Sequence, residues 1–285
     1  MGLEDWVEPL LQRGDLEQAL KIARRHSNSY PDDFSGHYYA GNILCTMGRF
    51  EASIQYLERA RELKPENQVV WTLLGDAYLA LATNFKERRE LFIAHEYLEK
   101  AVASYRSALD IDPKNPHPHA LLGFGHIFRF LGDLEGARHY FRATFLSAKE
   151  KEDELLGQDA LLELSVTLRD MGRMVIAKEN FEIFVQLYPH DYRGRVELGT
   201  LYVDLWKRKH ARRFKQKACE QFRYVQEHLW EFTDPAYQYR VQEGMQELDR
   251  VECNVVDSEE LEDLLIIDPD IMEALEQEKK KEVVH

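Results

Sequence analysis

The chain has 285 residues, 44% of them hydrophobic and 31% charged, with a formal net charge of −14. That apolar content excludes a disordered chain, and no run approaches the roughly 18 apolar residues that suggest a membrane span. The three cysteines, Cys45, Cys219 and Cys253, lie too far apart for a disulfide framework or a zinc site. The opening residues are acidic and lack the apolar core of a secretory signal, and Trp6 stands where a myristoylation motif needs Ser or Thr. The expected compartment is the cytoplasm.

Taken in chain order, the predicted elements recur. The first segment carries Trp6, Leu10, Gly14, Leu16, Ala19 and Pro31, and the second Ala40-Gly41, Leu44, Gly48, Phe50, Leu57, Ala60 and Pro65. The third opens with Trp71-x-x-Leu74-Gly75-x-x-Tyr78 and continues with Ala101, Tyr105, Ala108 and Pro113. The fourth has Phe124-Gly125, Phe128, Gly132, Leu134, Ala137 and Phe141 but no closing proline. Leu161, Leu164-Ser165, Leu168, Gly172, Ala177, Phe181 and Pro189 make a fifth; Leu198-Gly199, Tyr202, Ala218 and Phe222 make a sixth. Each position has a physical reason. Large residues fill the gap between paired helices, Gly or Ala lets the second helix come close, and Pro ends a helix at the boundary.

This pattern, complete in the first helix of the third segment, resembles the tetratricopeptide repeat. The resemblance implies an all-α, right-handed α-solenoid of about six helical hairpins over residues 1–233, a capping helix over 234–253 and an acidic–apolar tail over 254–285. Two repeats are stretched. The small Gly and the Ala of the second helix stand 12 residues apart in Gly125–Ala137, but 26 in Gly75–Ala101 and 19 in Gly199–Ala218. Insertions of 14 and 7 are close to whole helical turns, so the buried stripe stays in phase. A new helix is expected after Asn84, through Leu91, Ala94 and Leu98. Asp234-Pro235-Ala236 reads as the start of the capping helix.

In such repeats the first helices line a concave groove. The residues expected there are Tyr38, Asn42 and Cys45, then Thr72 and Asp76, then His119, Leu122, His126 and Arg129, and lastly Arg169, Arg193 and Glu197. The carboxylate clamp of chaperone-binding relatives is missing: only Asn42 matches, with Glu4, Asp76 and Leu122 at neighbouring positions.

No enzyme motif is present: no Gly-x-Ser-x-Gly, no phosphate loop, no dinucleotide fingerprint and no His-Glu-x-x-His. No catalytic residue, cofactor or metal is expected. His117, His119 and His126 lack a further ligand at fixed spacing, so packing or groove lining is the better reading. The run 207–217 holds seven cations in eleven residues, but without interleaved aromatics in a chain of pI near 5.3 it does not predict nucleic-acid binding.

The expected function is a protein–protein interaction scaffold that holds an acidic–apolar peptide or helix in its groove. The alternative is a regulatory or chaperone subunit that docks through the stretched hairpins. Between Asp257 and Glu278 stand ten acids, no Lys or Arg, and interleaved Leu and Ile residues. Helical turns are expected on either side of Pro269, and the tail is read as an occupant of the groove of its own or a neighbouring copy.

Overall fold

Apolar stripes at helical spacing, cut by capping residues and turns, produce helices throughout the described chain. The computed structural model describes residues 2–250; the tail expected over 254–285 lies outside them. Two compact units divide the chain, one ending at Asp133 and the other starting at Leu134.

The first unit holds α1 (Glu4–Gln12), α2 (Leu16–Ser29), α3 (Phe34–Thr46), α4 (Phe50–Leu63), α5 (Gln68–Glu87), α6 (Leu91–Ile111) and α7 (Pro118–Phe130). Successive helices pack on one another, and α5 also touches α3 and α7. The second unit holds α8 (Leu134–Glu150), α9 (Glu154–Asp170), α10 (Met174–Leu187), α11 (Tyr192–Lys209) and α12 (Arg212–Tyr224). A π-helical turn (Val225–Leu229) and a 3-10 turn (Trp230–Phe232) then lead into α13 (Pro235–Arg250). Here α11 touches both α9 and α13.

The repeat residues account for the helix boundaries. Asp33, Asn67, Asp153 and Asp191 each accept a backbone N–H in the first turn of the helix that follows. The carbonyls of the closing prolines are met from the next helix: Trp71 Nε1 donates to Pro65 O at 2.7 Å and Arg195 Nε to Pro189 O at 3.3 Å. His37 Nε2 lies 2.9 Å from Pro31 O at the matching place. The large residue of this repeat position thus satisfies a carbonyl left open where the previous helix ends.

The second helix is locked by a ring between glycines. Tyr105 of α6 is fully buried, and a Cβ built on Gly75 of α5 or Gly123 of α7 would lie 2.5 or 2.2 Å from its ring. In the second unit Phe222 of α12 stands against Gly199 of α11 and Gly244 of α13, each at 2.5 Å by the same measure. The capping helix therefore packs as the first helix of a further hairpin would.

Three expectations are refined. The 14-residue insertion is shared, since α5 and α6 run 20 and 21 residues where α3 and α4 run 13 and 14. Its turn falls at Arg88–Glu90 rather than after Asn84, with Arg89 at φ 63° where other hairpins carry Gly14, Gly48, Gly132 or Gly172. Two extra turns on each helix keep both stripes buried. Helices α8 and α9 are also long, 17 residues each, where the closing proline is missing. Finally, the unit boundary falls inside the fourth sequence repeat. Gly123 ties α7 to the Tyr105 ring, whereas α8 packs on α9.

Candidate functional site

In the first unit the predicted lining residues sit at i, i+3 and i+4 spacings on α3, α5 and α7, and cross-helix contacts draw those helices together. The Cys45 thiol lies 3.0 Å from the Ser53 hydroxyl and 3.8 Å from Leu73 O on α5. Burial pushes that thiol up to about 11, which makes it an unreactive packing group. Thr72 is buried, donates to Gln68 O at 2.9 Å and lies 3.4 Å from His117 Nδ1. It joins α5 to the start of α7 instead of presenting a hydroxyl to solvent.

Asp76 is open to water yet hemmed in by the surrounding chain. That partial dehydration pushes its carboxyl up to about 6, against the opposing pull of the Tyr105 hydroxyl, which donates to it at 2.6 Å. Tyr38 and Asn42 are half-buried on α3, where the Tyr38 ring stacks on Phe34 at 5.5 Å. On α7, His119 is exposed, Leu122 is half-buried, and His126 Nδ1 lies 3.3 Å from the Arg129 guanidinium. The His117 and His119 rings are 5.7 Å apart, and no group of three or more His, Cys, Asp or Glu among the described residues is placed to hold a metal.

The second unit treats its predicted residues differently. Glu197 is 4% exposed; its carboxylate accepts from Arg169 and from both terminal nitrogens of Arg240 on α13, which also reaches Thr200 Oγ1 at 3.3 Å. Burial alone would raise this carboxyl, but the hydrogen bonds and charges of Arg240 and Arg169 outweigh it and hold it below the usual range. Arg193 is bound to both Asp191 oxygens and, at 2.8 Å, to Asp159. Asp191 in turn caps α11 and accepts from Gln158 at 2.7 Å. Arg169, Arg193 and Glu197 are thus committed to internal pairs.

Sequence reasoning missed Arg240, which reads there as one more polar residue of a cap. It stands 43 positions from Glu197, and no short-range spacing links the two.

Comparison with known proteins fits this geometry. The tetratricopeptide-repeat family model matches residues 6–67 and 40–116. Residues 6–116 thus carry tetratricopeptide repeats. The fold of the chain is similar to a thermophilic tetratricopeptide-repeat protein of Thermus thermophilus, with TM-score 0.57 and 20% identity over 70% of this chain and 96% of that one. It is also similar to PilW, a type IV pilus biogenesis factor, with TM-score 0.61 and 16% identity over 85% and 96% of the two chains. The Cut9–Hcn1 hetero-tetramer of the APC/C gives TM-score 0.61 and 13% identity over 83% of this chain and 41% of that one. Identities this low carry the fold alone. Among curated proteins, the CTR9 homolog of Arabidopsis thaliana is 25% identical over 174 residues, 60% of this chain, which spans only 14% of that protein's length. Tetratricopeptide repeats generally mediate protein–protein interactions and complex assembly rather than catalysis. No described helix is long and apolar enough to cross a membrane.

Proposed function

We propose that the protein is an interaction scaffold whose receptor surface is the face shared by α3, α5 and α7. One observation carries this reading. On that face Asp76 and His119 are exposed beside half-buried Tyr38, Asn42 and Leu122, while the predicted counterparts in the second unit are consumed by ion pairs. The partner is a peptide or helix with acidic and apolar residues. Its acids meet His119, His126 and Arg129; its apolar side chains meet Tyr38 and Leu122. A hydrogen-bond donor on the partner is the natural mate for Asp76.

A second reading rests on the tip of the stretched hairpin, where Leu91 and Phe92 are 66% and 77% exposed. There the protein is a regulatory or chaperone subunit that docks through the overhang.

Photo-crosslinking residues placed singly at Asn42, His119, Phe92 and, as a control, Lys21 decide between the two in native lysate. Adducts with one protein at Asn42 and His119, but not at Lys21, support the face. Adducts confined to Phe92 support the hairpin and overturn the face.

A further inference from the structure

We propose that the acidic tail, residues 257–278, seats on the basic tip formed by the end of α11 and the start of α12 of its own chain. The idea is independent of the receptor face on α3, α5 and α7, and it moves the tail away from the groove in which its sequence suggested it would lie.

Position argues first. The tail follows α13, which packs on both α11 and α12, and Glu247 in the last turn of α13 is ion-paired to Lys207. The chain therefore leaves α13 beside the basic run. From Lys207, Lys209 is about 3 Å along the helix axis, and Arg212 to Lys217 covers about 8 Å. Residues 251–256 can span about 20 Å, so the first acids of the tail reach every cation of the tip.

Electrostatics argues next. Arg208, Arg212 and Arg213 are exposed, and none makes an ion pair among the described residues. Lys207, Arg208 and Lys209 at the end of α11 suit the negative end of its dipole. Arg212 and Arg213 do not, because they open α12, whose first turn carries no acid. Between them His210 adopts φ 53°, a left-handed conformation that a non-glycine residue resists. Like charges are gathered at a strained turn, and at Arg212 and Arg213 they stand against the helix dipole with no ion pair among the described residues to offset it.

The tail has the complementary chemistry: ten acids between 257 and 278 with no Lys or Arg among them. Its leucines and isoleucines can lie along the aliphatic stems of the arginines. The part of the expected groove in the second unit has lost its attraction, since Arg169 and Arg193 are already paired. Tethering places the acids at an effective concentration on the order of millimolar, so weak contacts suffice.

The test is zero-length carbodiimide coupling of carboxylates to lysines in the full chain, read by mass spectrometry on a mixture of light and heavy-isotope protein. The expected result is coupling of tail acids to Lys209, Lys215 or Lys217 within one chain, about tenfold above coupling to Lys21 or Lys100. It should fall several-fold in about 0.5 M salt, where the screening length is about 4 Å, and in the full-length triple variant R208E/R212E/R213E. The salt arm stands even if that variant folds poorly. Coupling spread evenly over the lysines, coupling insensitive to salt, or a dominance of mixed-isotope pairs each overturns the proposal. Preferential coupling to Lys86 or Lys100 overturns it as well and returns the tail to the first unit.

Discussion

The two units use one packing device and finish it in opposite ways. Tyr105 and Phe222 each sit between two glycines of flanking first helices. Tyr105 keeps a hydroxyl that reaches Asp76, and Asp76 stays open to solvent. Beside Gly199 stand Glu197 and Thr200, where α13 inserts Arg240 and removes the acid from solvent. The difference lies in exposure: the first unit leaves its bonded acid in contact with water, and the second buries its acid between two arginines. Core chemistry differs too: among the described residues, the fully buried aromatics are Tyr105 in the first unit and Phe141, Phe145, Phe181, Phe184, Tyr202 and Phe222 in the second.

The largest effect is expected at the closed face. Glu197→Gln removes the charge that compensates Arg169 and Arg240 in a buried setting, and should cost about 3 kcal/mol. With the folded carboxyl held below its unfolded value, its stabilisation is present above about pH 4.5 and lost as pH falls through the lower folded value. Urea unfolding from pH 7 down to pH 3 should show that loss in the natural chain and not in the variant. Equal stability at pH 7 would mean that the Arg240 insertion contributes nothing.

Next come the glycines that hold the rings. Gly123→Ala and Gly244→Ala place a Cβ 2.2 and 2.5 Å from a buried ring, with overpacking costs of about 1–3 kcal/mol, offset in part by better helix propensity. Because repeats lean mainly on their neighbours, hydrogen exchange should quicken first around α6 in one variant and around α12 and α13 in the other. A neutral Gly244→Ala would break the parallel between α13 and a true repeat helix.

Much of this was legible in the sequence. The stripes and the Gly and Pro punctuation locate the hairpins, because both follow from local geometry. The stripe on α3, α5 and α7 was legible for the same reason. The pairing that closes the second face was not, because Glu197 and Arg240 meet only once the chain has folded back over 43 residues. The turn at Arg88–Glu90 was hidden because no glycine marks it. The length of α8 and α9 was hidden because an absent proline gives no position.

At the open face the expected effect is smaller and opposite in sign with pH. The Asp76 carboxyl is raised from its ordinary value to about 6, so the native state binds the proton more tightly than the unfolded chain. Stability therefore falls as pH rises from about 4 to about 6. Water screens an exposed group, so the fall should be no more than about 1 kcal/mol. Asp76→Asn keeps an acceptor for the Tyr105 hydroxyl and should flatten this slope without moving the acid limb governed by Glu197. A slope unchanged in the variant would place the titrating group elsewhere.

The smallest effect separates strain from charge at two of the three described turns that hold a non-glycine residue at positive φ, one in each unit. Arg89 and His210 hold φ values of 63° and 53°, a conformation that costs a non-glycine residue about 1–2 kcal/mol. Glycine relieves that strain but brings back unfolded-chain entropy worth roughly 0.5–1 kcal/mol, leaving a net gain of about 0.5 kcal/mol. For a chain of this size the gain is a rise of about 1–2 °C in Tm. The reverse change, Gly48→Ala or Gly172→Ala at φ 71° and 76°, should cost about 1 kcal/mol. His210→Gly leaves all seven Lys and Arg of the basic run in place. It should therefore raise Tm while leaving the salt-sensitive coupling of the tail intact. Loss of that coupling in His210→Gly would show that the tip is recognised for the shape of its turn and not for its charge.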